Sequence, residues 1–212
     1  MKVHSFSFQP IDSRMYVMVE KEKALIVDPC ISEKAFALLE ECHVKEVAII
    51  LTHEHYDHIS GVNELVHRYP DAEVICSQVC GEYIRDCKKN VSAYFDVLLI
   101  GKTPAPTDKT QPYECKATMT FQESMAFMWN DYEVRLRETP GHSEGSICIE
   151  VDGLGVFTGD SLIMDTPVIT KLRGGNKEAY ENITKVYLQQ LPENVYIYPG
   201  HGEAGEKRLF TV

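Results

Sequence analysis

The chain has 212 residues, of which 44% are hydrophobic and 25% are charged, and its formal net charge is −11. This composition is ordinary for a globular protein, and one α/β core can bury a chain of this length. The acidity disfavours nucleic acid as a partner, because such a surface lacks the counterion release that dominates binding to phosphate backbones.

The sequence shows no apolar stretch long enough to cross a bilayer, and residues 1–6 lack the apolar region of a secretory signal. Seven cysteines at irregular spacing indicate reduced thiols rather than a disulfide framework. Among them, Cys76, Cys80 and Cys87 are interpreted as packing residues rather than an iron–sulfur or redox cluster, because their gaps are not the two-residue spacing of metal-binding pairs. We therefore expect one domain over residues 1–212, in the cytoplasm and without a membrane partner.

In the first half of the chain, apolar alternation predicts strands and amphipathic stretches predict helices. The expected strands are 3–8, 15–20, 24–28, 46–51 and 73–76, and the expected helices are 33–41, 60–68 and 78–88. The pairs Lys88-Lys89 and Lys207-Arg208 are isolated and are expected to be solvated. The proline-containing segment 101–116 has no helical or strand period, so it is either a plain surface connection or a lid over the site.

In the second half, strands are expected near 120–128, 132–138, 146–151, 154–158 and 194–198, with a helix near 176–190. Met125, Phe127, Met128 and Trp129 indicate a core cluster, with Trp129 as a candidate contact for an apolar acyl group. From periodicity alone, this order predicts a mixed α/β protein with polar residues at one edge of its strands.

The most informative segment is Thr52-His53-Glu54-His55-Tyr56-Asp57-His58, which follows the apolar run 47–51. A buried strand followed at once by polar side chains indicates the rim of a sheet, where loop residues are held by a rigid scaffold. Imidazole and carboxylate are ligands that zinc, iron and manganese accept without thiolate. The segment therefore predicts a catalytic transition-metal site rather than a structural cysteine-rich one.

Three further residues occupy the same kind of position, each at a glycine-containing turn after an apolar run: His142, Asp160 and His201. Glycine lets the backbone turn sharply and keeps bulk away from an ion. Each of these turns alone would be a weak signal. Together with the first segment, they indicate that several strand ends meet at one rim.

With these residues in this order, the chain resembles the metallo-β-lactamase superfamily over nearly its whole length. The matching residues are His53, His55, Asp57, His58, His142, Asp160 and His201. The words Thr139-Pro140-Gly141-His142-Ser143, Thr158-Gly159-Asp160 and Tyr198-Pro199-Gly200-His201-Gly202 are similar to those of glyoxalase II-like hydrolases, specifically small members without the C-terminal helical domain. The resemblance implies a four-layer αββα sandwich.

The resemblance also implies two metal ions, most simply zinc, with iron or manganese as alternatives. His53, His55 and His142 would bind one ion, Asp57, His58 and His201 the other, and Asp160 would bridge them. Two adjacent cations lower the pKa of a shared water enough to generate a hydroxide nucleophile at neutral pH. Asp57 is the expected proton acceptor, and Asp28 and Thr52 are expected to orient the histidines.

Residues that recognise the substrate are less clearly indicated. Lys171 and Arg173 could hold a carboxylate of an acidic substrate, although long cationic side chains are usually solvated. Tyr56, Tyr180 or Tyr198 could place a hydroxyl near the oxyanion, although aromatic packing is the more common role.

Three enzymatic interpretations follow. The leading one is a metal-dependent hydrolase that uses an activated hydroxide to cleave a small thioester or other acyl ester. The second is a lactone or β-lactam hydrolase with the same nucleophile. The third is a persulfide dioxygenase with a single iron, and a non-catalytic metal-binding module is a weaker alternative. The expected partner is a small-molecule substrate, and the sequence does not indicate whether the protein is a monomer or an oligomer.

Overall fold

The structure is a computed structural model that describes residues 1–9, 11–100 and 109–212, and within them the strands form two sheets of six. The N-terminal sheet contains β1 (Val3–Phe8), β2 (Ser13–Glu20), β3 (Lys23–Val27), β4 (Glu46–Ile50), β5 (Glu73–Ser77) and β6 (Met119–Phe121). The C-terminal sheet contains β7 (Ser124–Trp129), β8 (Tyr132–Glu138), β9 (Ile147–Val151), β10 (Gly155–Gly159), β11 (Tyr196–Pro199) and β12 (Gly205–Glu206). Each sheet keeps its strands in chain order.

Helices cover the outer faces of the sheets. They are α1 (Glu33–Glu41), α2 (Tyr56–Ile59), α3 (Val62–Arg68), α4 (Gln78–Tyr83), α5 (Phe95–Leu98), α6 (Lys177–Ala179) and α7 (Lys185–Gln190). A π-helical turn, Tyr180–Thr184, joins α6 to α7, and short 3-10 helices lie at Ser92–Tyr94 and Lys207–Leu209. Within the described ranges, the helices are all too short or too polar to span a membrane.

The alternation of side chains along β2 shows how the layers arise. Met15 and Val17 pack among the residues that face α1, α3 and α4, whereas Tyr16 and Met18 pack against the C-terminal sheet. Successive strand residues point to opposite faces, so an apolar residue at every position buries both faces of the N-terminal sheet. A third apolar cluster joins the outer face of the C-terminal sheet to Leu188 of α7. The predicted four-layer αββα sandwich is confirmed.

The direction of the strands determines which edge of the sandwich contains the polar segments. Strands β3, β4, β5 and β6 run parallel to one another, and β10 runs parallel to β11. The carboxyl ends of parallel strands meet at a common edge, and ligands bind at that edge in open α/β sheets. The polar segments that follow β3, β4, β10 and β11 therefore share one rim of the molecule.

The predicted strand 120–128 is wrong as a single element. Glu123 adopts a left-handed backbone with φ of 59°, and the chain changes sheets at this point. β6 pairs with β5 in the N-terminal sheet, and β7 pairs with β8 in the C-terminal sheet. Apolar periodicity does not reveal such a crossing, because both strands contribute to the same interior between the sheets.

Two predicted helices are shorter than expected. The stretch 60–68 contains α3 from Val62 onward, because α2 ends before it and Gly61 lies against the backbone of Cys30. The stretch 78–88 ends as a helix at Tyr83, and the Asp86 carboxylate then accepts from the amide of Lys88 at 2.8 Å. Such side-chain bonds to the backbone compete with helix continuation. The helix predicted at 33–41 is confirmed, with Ser32 as its N-cap.

Several side-chain predictions are decided by burial. The prediction that Lys207 is solvated is wrong, because this residue is 4% exposed. Its Nζ donates to Leu191 O at 2.9 Å and to Glu193 Oε1 at 2.7 Å. Trp129 packs between the sheets and lines a groove with Lys45 and Asp71, which precede β4 and β5. This groove is at the amino ends of the parallel strands, so Trp129 is a core residue and its suggested acyl contact is wrong.

The cysteines are free in the structure, and Cys76 and Cys80 pack in the core beneath the helices as predicted. Of the predicted connection or lid at 101–116, residues 101–108 lie outside the described residues. Residues 109–116 form neither helix nor strand. Thr110 is anchored to Asp96, its Oγ1 donating to a carboxylate oxygen at 2.6 Å.

Candidate metal centre

All seven predicted site residues lie together at the rim where the parallel strands end. His53 and His55 follow β4, while Asp57 and His58 lie on α2 immediately after them. The remaining three follow strands of the C-terminal sheet: His142 after β8, Asp160 after β10 and His201 after β11. The two sheets therefore supply opposite sides of one cluster.

The first group within the cluster consists of His53, His55 and His142. One ring nitrogen from each lies within 4.8 Å of the others, and all three residues are buried. Nδ1 of His55 is 3.0 Å from Nε2 of His142. Three converging imidazole nitrogens match the protein ligand set of a catalytic zinc site.

The second group consists of Asp57, His58 and His201. Their ligand atoms also lie within 4.8 Å of one another. Oδ2 of Asp57 is 3.1 Å from Nε2 of His58 and 3.4 Å from Nε2 of His201. This is a second set of nitrogen and oxygen donors that one cation could share.

Asp160 lies between the two groups. Its Oδ2 is 3.5 Å from Nε2 of His142 and 3.4 Å from Nε2 of His201, while its Oδ1 is 3.5 Å from Nε2 of His58. One carboxylate thus contacts a histidine of the first group and two histidines of the second. Gly200 makes this approach possible, since a Cβ at that position would overlap Oδ1 of Asp160.

Contacts behind the cluster fix the orientation of the rings. Nδ1 of His142 is 2.9 Å from the carbonyl of Ile169, and Nδ1 of His201 is 3.1 Å from the carbonyl of Ile11. A carbonyl only accepts, so both Nδ1 atoms donate, and Nε2 is the atom through which each ring could bind a metal once that nitrogen is deprotonated. Nδ1 of His53 is held in the same way by Oγ1 of Thr52 at 3.0 Å.

Asp28 also lies within 4.8 Å of His53 and His58, but its oxygens are already used. Oδ1 accepts from the Thr52 amide at 2.7 Å, and Oδ2 lies 2.5 Å from Thr52 Oγ1 and 3.0 Å from His58 Nδ1. Asp28 thus orients two neighbours of the cluster, the supporting position expected for it.

The charges in the cluster are strongly coupled. Burial lowers the pKa of His201, but the carboxylates of Asp160 and Asp57 outweigh burial and raise it to about 10. Burial opposes ionisation of Asp57 and Asp160, yet the facing histidines hold the pKa of each carboxyl well below its usual range. By contrast, burial lowers the pKa of His53, so this ring is neutral and able to act as a ligand.

Several donor atoms of the cluster have no hydrogen-bond partner in the described part of the chain, as expected of atoms that bind a metal. Nε2 of His53, Nε2 of His58 and Oδ1 of Asp160 are buried without a hydrogen-bond partner among the described residues. Buried polar atoms almost always have a partner, so such orphans at one point call for a bound group. Imidazole and carboxylate donors fit a divalent transition metal.

A family comparison agrees with this geometry. The model described as "Metallo-beta-lactamase superfamily" matches residues 9–201. The chain belongs to the metallo-beta-lactamase superfamily. The donor cluster lies inside the matched region.

Relatives within the superfamily are distant but cover most of the chain. A hydroxyacylglutathione hydrolase of Prochlorococcus marinus (strain NATL2A) is 28% identical over 209 residues, or 94% of this chain and 70% of the relative. The "Probable metallo-hydrolase YqgX" of Bacillus subtilis (strain 168) is 28% identical over 95% of this chain and 90% of its own length. The crystal structure of the BLEG-1 B3 metallo-beta-lactamase superposes with a TM-score of 0.83 at 23% identity, covering 98% of this chain and 95% of that one. The last likeness concerns the fold alone.

Glu54, inside the superfamily motif, is a site residue that sequence reasoning missed. It is fully buried, its Oε2 accepts from the Ser143 hydroxyl at 2.9 Å, and its Oε1 has no partner among the described residues. Burial raises the pKa of this carboxyl to about 7. The hydrogen bond joins the loop of His53 and His55 to the loop of His142. A carboxyl between two buried histidines was the available signal.

The cations suggested for substrate binding are absent from the lining of the cavity that opens onto the cluster. Lys171 and Arg173 are exposed and do not line the cavity above it, whereas Leu172 between them does. The suggested tyrosine hydroxyls are also absent from that lining. Tyr198 stacks on Phe157 at 4.6 Å between ring centroids, which is the packing role expected of a buried aromatic residue.

Proposed function

We propose that the chain hydrolyses a small thioester or other acyl ester by means of two divalent cations, most simply zinc. His53, His55 and His142 would hold one ion, Asp57, His58 and His201 the other, and Asp160 both. The observation that carries this proposal is the position of Asp160 within 3.5 Å of histidines from both groups. When bound, two adjacent cations supply Lewis-acid polarisation of the acyl carbonyl and activation of a water molecule.

The residues of the chain would then position water and move its proton. In the proposed step, the water oxygen bonds to the acyl carbon and one of the two water protons passes to the carboxylate of Asp57. The bond from that carbon to sulfur or oxygen breaks, its electron pair leaves with the thiol or alcohol, and this group takes up the proton. A carboxylic acid and a free thiol or alcohol result, and the acid releases its remaining proton to the solvent. Although burial opposes ionisation, the facing histidines hold the pKa of Asp57 well below its usual range, so this carboxyl is ionised before the step.

Support for an acyl substrate comes from the distant relatives named as hydroxyacylglutathione hydrolase and metallo-hydrolase. The net charge of −11 supports a small molecule rather than nucleic acid as the partner. Free thiols support a reducing compartment such as the cytoplasm. The apolar interior shared by both sheets supports a single domain over residues 1–212.

The test is a panel of chromogenic thioesters, lactones and β-lactams with zinc-loaded protein, together with oxygen uptake on a persulfide. Thioester hydrolysis that disappears with a chelator and returns with zinc is expected. Asp57→Asn should abolish turnover because the amide cannot accept a proton, whereas the exposed control Asp131→Asn should not change it. Oxygen uptake without thioester hydrolysis would favour iron chemistry, and cleavage of lactones or β-lactams alone would also refute the proposal.

A further inference from the structure

A cavity of about 330 Å³ opens directly above the metal centre, and its walls are apolar. Its floor is the cluster itself, with His55, Asp57 and Asp160 in the lining. One wall comes from the segment that contains Val91, Phe95, Leu98 and Leu99, and a second from the segments that contain Ile163, Met164, Ile169 and Leu172. Among the described residues, the lining contains no charged side chain other than those of the centre.

The first wall packs against the segment that contains Asp57. Phe95 is 4% exposed, and its ring packs edge-on against Tyr56 at 5.1 Å and against Phe8 at 6.1 Å. Tyr56 is the neighbour of Asp57 in the chain, so this aromatic packing ties the wall to the metal centre. Such edge-to-face pairs stabilise the packing of aromatic rings.

The second wall is attached to the cluster through backbone carbonyls. The carbonyl of Ile169 accepts a hydrogen bond from Nδ1 of His142 at 2.9 Å. Ile169 also lines the cavity and is 47% exposed. Likewise, the carbonyl of Ile11 accepts from Nδ1 of His201 at 3.1 Å, and Ile11 lines the cavity. Two apolar side chains are thus held beside the rings that their own carbonyls orient.

The neighbouring cations point elsewhere. In Lys171-Leu172-Arg173, the leucine lines the cavity and both cations are exposed. Arg173 lies close enough to Tyr83 and Asp86 for its charge to act on both groups. A charged substrate group placed in this cavity would meet apolar walls without a compensating charge, which is unfavourable.

Resting on the proposed function, we infer that this cavity is an acyl site that selects esters or thioesters with an apolar acyl chain over those with a charged leaving group. The volume lies at the lower end of small-molecule sites, about 300–1,000 Å³. Each methylene buried against such walls strengthens binding about fourfold. Chain length, rather than the identity of the thiol or alcohol, therefore sets the rate.

The first experiment measures kcat/KM for thioesters of one neutral thiol with saturated acyl chains of increasing length. A rise of about fourfold per methylene is expected until the cavity is full. For one fixed acyl chain, replacing the neutral thiol with glutathione should raise kcat/KM by less than the addition of one methylene to the acyl chain does. A rate that falls with chain length, or a clear preference for the glutathione thioester, would overturn the inference.

The chain offers matched variants for this test. Ile169→Glu places a charge in the cavity, and Ile183→Glu places the same charge at an equally exposed isoleucine, 48% exposed, that does not line it. Only the first should flatten the dependence on chain length. If Ile169→Glu fails to fold, Leu98→Glu takes its place with Val97→Glu, 63% exposed and outside the lining, as control. Equal slopes in a folded pair would overturn the inference.

A binding measurement separates this inference from the proposed function. Calorimetry with metal-free protein and non-hydrolysable S-alkyl thioethers should show a Kd that falls about fourfold per methylene. If this dependence holds and no ester is cleaved by the metal-loaded protein, the acyl site stands and the proposed hydrolysis fails. If esters are cleaved but the Kd is independent of chain length, the acyl site fails alone.

Discussion

The carboxylate of Asp28 lies 3.0 Å from Nδ1 of His58 and directs the opposite ring nitrogen toward Asp57 and Asp160. Asp28 follows β3, adopts a left-handed backbone with φ of 51°, and is 2% exposed. Aspartate tolerates this conformation better than most residues. The chain thus turns sharply at the end of β3 in order to place one buried carboxylate behind the metal centre.

Asp28→Asn should weaken metal binding by about 10- to 100-fold, because an amide stabilises the oriented imidazole less than a carboxylate does. Competition with a chromophoric chelator measures this affinity. Asp131→Asn, at an exposed position, is the matched control and should bind metal as the unaltered protein does. Unchanged affinity in Asp28→Asn would remove Asp28 from the account.

Asp160→Ala should disturb both metal sites at once, since its carboxylate contacts His142 on one side and His201 on the other. By contrast, His142→Ala should disturb the first group only, and His201→Ala the second only. Metal content per folded chain, measured by elemental analysis, distinguishes these results. If Asp160→Ala lost no more metal than either histidine variant, Asp160 would not be shared.

Metal binding should release protons at pH 7. In the metal-free protein the pKa of His201 is about 10, because Asp160 and Asp57 outweigh burial, so the ring is protonated. A ring that binds metal must be neutral, and at least about one proton per chain should therefore leave. Calorimetry in buffers of different ionisation enthalpy counts these protons. A heat that is independent of the buffer would contradict the prediction.

Glu54→Gln should change how the stability of the metal-free protein depends on pH. Burial raises the folded-state pKa of Glu54 to about 7, above its unfolded value near 4.5, so the folded state favours the protonated form. Its contribution is fully present below pH 4.5 and is lost as pH rises through 7, by up to about 3 kcal/mol. Chemical denaturation between pH 5 and 8 should show a smaller loss of stability for Glu54→Gln than for the unaltered protein, with Glu73→Gln, at an exposed position, as control.

The clustering of the candidate ligands was predictable from sequence because these residues follow strands whose ends share one edge. His53, Asp160 and His201 each come after an apolar run, and a β-sheet brings such positions together. Only some of the groups that orient the histidine rings were predictable from the sequence. Asp28 and Thr52 carry polar side chains and were expected, but the carbonyls of Ile11 and Ile169 are backbone atoms at apolar residues.

The acyl cavity was not predictable for a different reason. Phe95 and Ile169 come from segments far apart in the chain, and nothing in the local pattern of either indicates that they face each other. Lys171 and Arg173 drew attention because charge is a visible signal, yet Leu172 between them is the residue that lines the cavity. The direction of a loop side chain depends on tertiary packing, which periodicity does not encode.

Metal stoichiometry is the most direct test of the central claim that two groups of ligands share Asp160. Elemental analysis of protein purified without added metal, then saturated with zinc and freed of excess, should give about two ions per chain. Loss of both ions should abolish thioester hydrolysis, and their return should restore it. A saturated content of one ion or none, or full activity in metal-free protein, would contradict the account.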